Sequence, residues 1–378
     1  MIVENNTPEG WMETTLGEVA HITMGQSPKS EFYNMDGKGL PFYQGVTEFN
    51  DKYVSIKKYT SKNTKVVSEN SILFSVRAPV GRVNFTKKEC CIGRGNAGLF
   101  MKNGNQNYLY FLLVYFERKF QDYTSGTVFT SISGKELNIV PITLPKKANE
   151  QKAIAKVLTA FDDKIELLQA QNKTLESMAQ TIFKEWFGKY QIGDELPEGW
   201  RVGVYGDLVD LSSGKGVKKK EYIENGKYEI IGANGIIGRL NKFLVEERVI
   251  VTGRVGTLGT VFILNHPCWI SDNVLISKPL IDNSFYFSYF KLKSFNFSSL
   301  NTGSTQPLIT QGDLKSIEII IPNKSFLKEF EKVSTSFFEK IKNNNSQIQF
   351  LTKTRDTLLP KLMSGQVRVK NLKQTTDA

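Results

Sequence analysis

The chain has 378 residues, 40% of them hydrophobic, which is enough to bury two or three modest cores. It carries 49 Lys and Arg against 38 Asp and Glu, a net charge of +11, so a polyanionic partner is favoured, nucleic acid first. Cys90, Cys91 and Cys268 fit neither a disulfide framework nor zinc spacing, no apolar run reaches the about 18 residues of a membrane span, and the polar opening "MIVENNTPEG" is unlike a signal peptide. Buried thiols, a cytoplasmic location and no membrane partner are therefore expected.

Two stretches open alike, "TPEGW" at Thr7 and "LPEGW" at Leu196. With Trp11 set on Trp200, "GWMETTLGEVAHITMGQ" lies over "GWRVGVYGDLVDLSSGK", matching Gly17 to Gly206, Glu18 to Asp207 and Gly25 to Gly214. Self-similarity at so long a period marks a duplicated unit. Next, "ILFSVRAPVGRVNF" resembles "VIVTGRVGTLGTVF", which sets Arg77 on Arg254, Gly81 on Gly259 and Val83 on Val261, with one residue inserted in the second copy. Short β-branched runs that end at Gly or Pro, such as "SILFSV" and "RVIVTG", predict strands. "NYLYFLLVYFERKF" and "FYFSYFKLKSF" read as aromatic helices, with strands as the alternative. Further on, "TSGTVFTSISGKELNIVPITLP" lies over "NTGSTQPLITQGDLKSIEIIIP", carrying Gly126, Leu137 and Pro145 onto Gly303, Leu314 and Pro322. Pro145 and Pro322 each close a strand, and a long helix follows each.

From Ile154 the apolar positions of the first long helix step by four and three through Leu158, Phe161, Ile165, Leu168, Asn172, Leu175, Ala179, Ile182 and Trp186. That is a coiled-coil seam with one polar intruder. The second copy gives Phe330, Ser334, Phe337, Ile341, Asn344, Ile348, Leu351, Arg355, Leu358 and Leu362. An antiparallel pairing sets Ile154 on Leu362, Ile165 on Leu351, Ala179 on Phe337, Ile182 on Ser334 and Asn172 on Asn344, where one amide can satisfy the other and fix the register. Arg355 then faces Phe161, and its guanidinium is expected to snorkel or stack. Helices of about 40 residues span roughly 60 Å, a spacer between two similar, inverted domains. Pro360 is expected to bend or end the second helix in its last turn.

No amino-methyltransferase tetrapeptide and no phosphate-binding loop ending in Gly-Lys-Ser/Thr occurs. His21 and His266 are too few for most triads or metal sites, and read as structural or solvated. Asp162 and Asp163, among lysines on the long helix, read as a solvated face. What remains are polar and basic loops in matching places. "SSGKGVKKKEY" offers Lys215, Lys218, Lys219 and Lys220 for phosphates, and its counterpart "MGQSPKSEFY" offers Gln26, Ser27 and Lys29. "GTVFTSIS" against "GSTQPLIT" sets Thr127 and Phe129 against Thr305 and Gln306. Arg77 and Arg254 stand at strand ends, and Arg94 completes the candidate DNA contacts. Any one loop reads equally well as a solvated turn; the set favours DNA.

A duplicated unit of "PEGW", a glycine-edged β domain, "SGT", a closing Pro and a long seam helix resembles the specificity subunit of type I restriction–modification enzymes. "RDTLLPKLMSGQV" also resembles the usual end of that family's second helix, and the resemblance runs from about Pro8 to Gly365. It implies an α/β (α+β) chain of two tandem, pseudo-two-fold target-recognition domains, residues 1–145 and 191–322, separated by antiparallel coiled-coil helices at 146–190 and 323–365, with a tail at 366–378. Each domain would read one half of a split site in double-stranded DNA, with helix length setting the gap. The chain itself would be no enzyme and hold no cofactor. Two modification (methyltransferase) subunits would bring S-adenosylmethionine, and motor–nuclease subunits would use ATP and Mg. "PEGW" would open each domain, with Trp11 and Trp200 as packing anchors. A recognition subunit of a combined cutting and methylating system, or a coiled-coil scaffold for proteins, are the alternatives.

Overall fold

The computed structural model describes residues 7–123, 131–255, 258–300 and 308–369. The chain forms two compact units, residues 1–167 with 347–378 and residues 168–346.

In the first unit a strand at Trp11–Thr15 pairs antiparallel with Pro141–Pro145, so Pro145 ends its strand as expected. The main sheet orders its strands Ala20–Met24, Asn96–Met101, Ile72–Ser75, Val83–Phe85, all antiparallel. The second unit repeats both features. Arg201–Val204 pairs with Glu318–Ile321, just ahead of Pro322, and the main sheet runs Val209–Ser213, Val274–Pro279, Val249–Gly253, Val261–Leu264. The aromatic segments are helices, Gln106–Tyr123 and Phe285–Lys293, because alternate-face strands could not bury their near-continuous apolar surface on one sheet.

Two matched glycines have one cause. A Cβ on Gly25 would fall 2.2 Å from the Gly93 carbonyl oxygen, and one on Gly214 would fall 2.2 Å from that of Ser271. Backbone crosses backbone at the same corner in both units, and only glycine fits. The matched "SGKE" and "TQGD" segments also share a cause, since each is a capping box. Ser133 and Thr310 cap short helices, and the Glu136 and Asp313 carboxylates accept back from the cap N–H groups at 2.7 and 2.8 Å. Trp11 and Trp200 are buried, as packing anchors should be. Trp200 packs on Phe187 and Phe326, and Trp11 donates its indole N–H to Glu150. All three cysteines are free and buried, which pushes the Cys90 thiol up to about 12 and that of Cys268 to about 11.

The two long helices, Ala148–Phe187 and Lys324–Met363, have 40 residues each. Pro360 lies inside the second, three residues before its end. In the first unit Ile154 and Leu158 share one core with Leu359, Leu362 and Met363, and Arg355 reaches Asp162 at 2.7 Å, so the helices are antiparallel there. In the second unit Trp186 meets Phe326 and Phe330 while Asn172 meets Asn344 and Asn345, again antiparallel. Both helices are also part of each unit's own core, where their apolar seam packs on the aromatic helix and the strand ends.

Three expectations along the seam need correction. The amides do not satisfy each other fully: Asn344 donates to Asn172 Oδ1 at 2.9 Å, but Asn172 donates to Asn345 at 2.8 Å, and Asn344 Oδ1 is buried without a partner. Arg355 neither snorkels nor stacks; it is held by Asp162 and by Asp356 at 3.0 Å. Asp162 is not part of a solvated face but only 5% exposed, lying between Arg355 and Lys52, whose ammonium is 3.5 Å away. Burial works against the Lys52 ammonium, but Asp162, Tyr53 and Glu166 outweigh it and hold its pKa above the ordinary lysine value. Asp163 is solvated as expected, with its side chain 67% exposed.

Candidate nucleic-acid interface

The loops leaving the main sheets carry the candidate contacts. In each unit the residue after the corner glycine is pinned the same way: Gln26 N–H donates to the Ile92 carbonyl at 2.9 Å, and Lys215 N–H donates to that of Ile270 at 2.8 Å. The backbone is therefore common, and the exposed side chain it presents differs, an amide in one unit and an ammonium in the other. Lys29 is exposed just ahead of a short 3-10 turn at Ser30–Phe32, and Lys219 and Lys220 are exposed in the matching turn at Lys219–Glu221. Lys218 precedes that turn, its N–H donating to Glu221 at 3.2 Å.

The two arginines are not equivalent, contrary to the alignment. Asn96 pairs with Ser75 in one sheet, and its counterpart Val274 pairs with Gly253 in the other. It follows that Val76 matches Arg254. Both donate into the following loop (to Gly95 and Asn273), and both accept from a matching isoleucine (Ile132 and Ile309). Arg77 thus matches Val255, and the two arginines are one residue out of step. A step of one along extended backbone turns the side chain to the opposite face. Arg77 accordingly stands exposed, whereas Arg254 is half-buried and donates to Ser213 Oγ at 2.9 Å. The alignment misplaced the inserted residue.

In the first unit Arg77 and Arg94 line one concavity with Gln44, Lys57 and Lys58. Ser27 Oγ accepts from the Arg94 N–H at 3.2 Å, which ties the Gln26 loop to the same place. Gln44, Lys57 and Lys58 escaped sequence reasoning, because their partners are brought in from other loops. The arrangement offers forked and terminal donors together with an amide, the set that recognises phosphates and purine edges. In the second unit Lys215 accepts from the Trp269 indole through its carbonyl at 2.7 Å, and the Lys242 ammonium lies 4.9 Å from that ring's centre. Neither Trp269 nor Lys242 was foreseen. Thr127, Phe129, Thr305 and Gln306, with Gly126 and Gly303 beside them, lie outside the described residues.

Among the described residues no group of three His, Cys, Asp or Glu could hold a metal ion, and no helix is long and apolar enough to cross a membrane. His21 is exposed, and His266 sits 3.2 Å from Glu229.

Residues 8–177 and 197–353 each match the model of the type I restriction modification DNA specificity domain, so the match begins at Pro8 and at Pro197 of the two PEGW motifs. The type I restriction enzyme MjaIX specificity subunit of Methanocaldococcus jannaschii is 28% identical over 97% of this chain and 95% of its own. The putative MjaX specificity subunit of the same organism is 41% identical over 46% of this chain and 42% of its own. The crystal structure of a type I restriction–modification S subunit from M. genitalium shares the fold, with a TM-score of 0.60 at 20% identity over 96% of this chain and 98% of that one. With one specificity domain matched twice along a duplicated framework, the chain belongs to the family of type I restriction–modification DNA specificity subunits.

Proposed function

We propose that each unit reads one half of a bipartite site in double-stranded DNA, and that the lengths of the two long helices set the gap between the halves. The observation that carries this reading is the pairing of a common backbone with unlike side chains. Gln26 and Lys215 hang on the same hydrogen bond yet offer different chemistry, and Arg77 has no arginine in the matching position. Two copies that read different half-sites must differ at such exposed positions while keeping the backbone that presents them. Phosphates are met by Lys29, Lys215, Lys218, Lys219 and Lys220, and base edges by Gln26, Arg77 and Arg94. Thr127, Phe129, Thr305 and Gln306 belong to the same set by their place in the sequence, and Arg254 acts by positioning Ser213.

The chemistry resides in partner subunits on this reading. Two modification subunits dock on the chain and supply S-adenosylmethionine, and motor–nuclease subunits consume ATP with Mg, all in the cytoplasm. Selection of the purified chain on random duplexes should return two conserved segments split by a constant gap, with affinity falling steeply as salt rises. Inserting four residues, about one helical turn, beside Asn172 and again beside Asn344 should lengthen the gap and leave both segments unchanged. An unaltered gap would contradict the ruler role, and unselective binding would contradict the whole reading.

A further inference from the structure

The second unit carries an exposed apolar tip that the basic loops do not explain. Strands Tyr228–Gly232 and Gly235–Leu240 form a hairpin, with Ile231 opposite Ile236 and Gly232 opposite Gly235, closed by Ala233 and Asn234. Ile236 is 60% exposed and Ile237 48%. Exposure of one isoleucine would be ordinary, but these two are adjacent at the end of one hairpin and lie among lysines. Ile237 lies over Gly232, where an added Cβ would come within 2.8 Å of its Cγ2. Ile236 pairs directly with Ile231 and so shares that residue's face, opposite to the face on which Ile237 covers Gly232. The tip is therefore apolar on both faces.

Its surroundings decide what it meets. Along one side Ile223 N–H donates to Arg239 at 2.9 Å, and the Tyr222 ring covers Gly238, which lays the exposed Lys218, Lys219 and Lys220 beside the ribbon. On the other side Trp269 pairs with Ile230 and carries Lys215 at its indole N–H and Lys242 over its ring. An apolar tip between two sets of lysines repels a second copy of itself and fits a polyanion that shows apolar groups on a groove floor. The hairpin belongs to a three-stranded sheet as far as Ile231, which also pairs with Ile270, so its two-stranded part is the turn end that Ile236 flanks. Elements of this β kind read the DNA major groove, where the apolar group on display is the 5-methyl of thymine.

We propose that Ile236, with Ile237 behind it, reads the 5-methyl group of a thymine in the half-site of the second unit. This rests on the DNA-reading function proposed above. The test uses the full chain and the duplex that it selects, with each thymine of the second segment replaced in turn by deoxyuridine. At one position the loss of the methyl should weaken wild-type binding by about fourfold, the factor equivalent to ~0.8 kcal/mol for a buried methyl-sized group. Ile236→Ser should bind both duplexes equally and weakly, Ile236→Val should keep part of the discrimination, and the first segment should be read unchanged. Deoxyuridine that is harmless at every position, a second segment without thymine, or discrimination that survives in Ile236→Ser would overturn the proposal while leaving the DNA-reading function intact. A wild-type chain that selects no segment would overturn both.

Discussion

In the first unit the layer that interrupts the apolar seam holds charge, Arg355 with Asp162 and Lys52; in the second it holds amides, Asn172 with Asn344 and Asn345. The same contrast appears at the loops, where one unit shows an exposed arginine and the other an arginine tethered to Ser213. The strand orders of the two-stranded and four-stranded sheets are nevertheless the same, and only the remaining sheet differs, with five strands in the first unit and three in the second. A shared framework with unlike polar insertions indicates where each unit is free to change. The backbone corners, caps and strand pairs are held by sterics and hydrogen bonds that tolerate few substitutions, while the side chains they carry can be exchanged one at a time.

The contrast can be broken most forcefully at the charged layer. Asp162→Ala leaves Arg355 and Lys52 in a buried place without their common partner, and should cost about 3 kcal/mol in denaturant unfolding, whereas Asp162→Leu with Arg355→Leu should recover most of it. A loss below about 0.5 kcal/mol would mean that the layer is effectively solvated. In the second unit the effect is milder and of opposite sign. Asn172→Leu with Asn344→Leu fills the seam with apolar groups and removes the orphaned Asn344 oxygen, so the thermal midpoint should rise while the pairing register loosens. Clear destabilisation with the register intact would assign the amides another role.

At the loops, Arg77→Ala should alter sequence preference in one half-site with no loss of stability. Arg254→Ala should cost about 1 kcal/mol of stability through the Ser213 bond, and blur its half-site only through that bond. Equal behaviour of the two would restore their equivalence. Replacing Lys218, Lys219 and Lys220 by Gln should lower the salt dependence of binding by nearly one counterion for each phosphate no longer neutralised, and leave the selected sequence unchanged.

The smallest effects separate the units by pH. Burial raises the Glu176 carboxyl, but hydrogen bonds from Lys293 at 2.7 Å and Tyr289 at 2.8 Å overcome it, and its pKa lies below the ordinary value. A lowered folded pKa contributes stability that is present above the unfolded value of about 4.3 and lost as pH falls through the folded one. Lys52 in the first unit is the reverse case: raised in the fold, it contributes below about 10.4 and loses that contribution as pH rises through the folded value. Glu176→Gln should flatten the acid limb of unfolding, and Lys52→Met the alkaline limb; no change in either limb would remove these pairs from the account.

Much of this was legible from the chain alone, for identifiable reasons. Gly25 and Gly214 recur because a Cβ cannot fit, Pro145 and Pro322 recur because a strand must end, and the seam recurs because helical periodicity is local. The charged layer was hidden because Lys52 comes from a distant loop, and nothing about the lysines around Asp162 says that it is buried. The arginine mismatch was hidden because an inserted residue can be drawn at several points, and only strand pairing says where it falls. Ile236 was hidden because the register shift between Ile230 and Ile231, which leaves the end of this hairpin exposed, is set by strand pairing and leaves no mark in the residues themselves.

The central claim, that two unlike readers sit on one duplicated framework, is tested most directly by the modification pattern. The chain would be expressed with the modification subunit proposed above as its partner in a host free of adenine methylation, and modified adenines mapped across the genome. The account predicts a single motif of two different short halves at a constant gap, with Arg77→Ala changing one half alone. A continuous motif, two identical halves, or a stable complex that modifies nothing would contradict it.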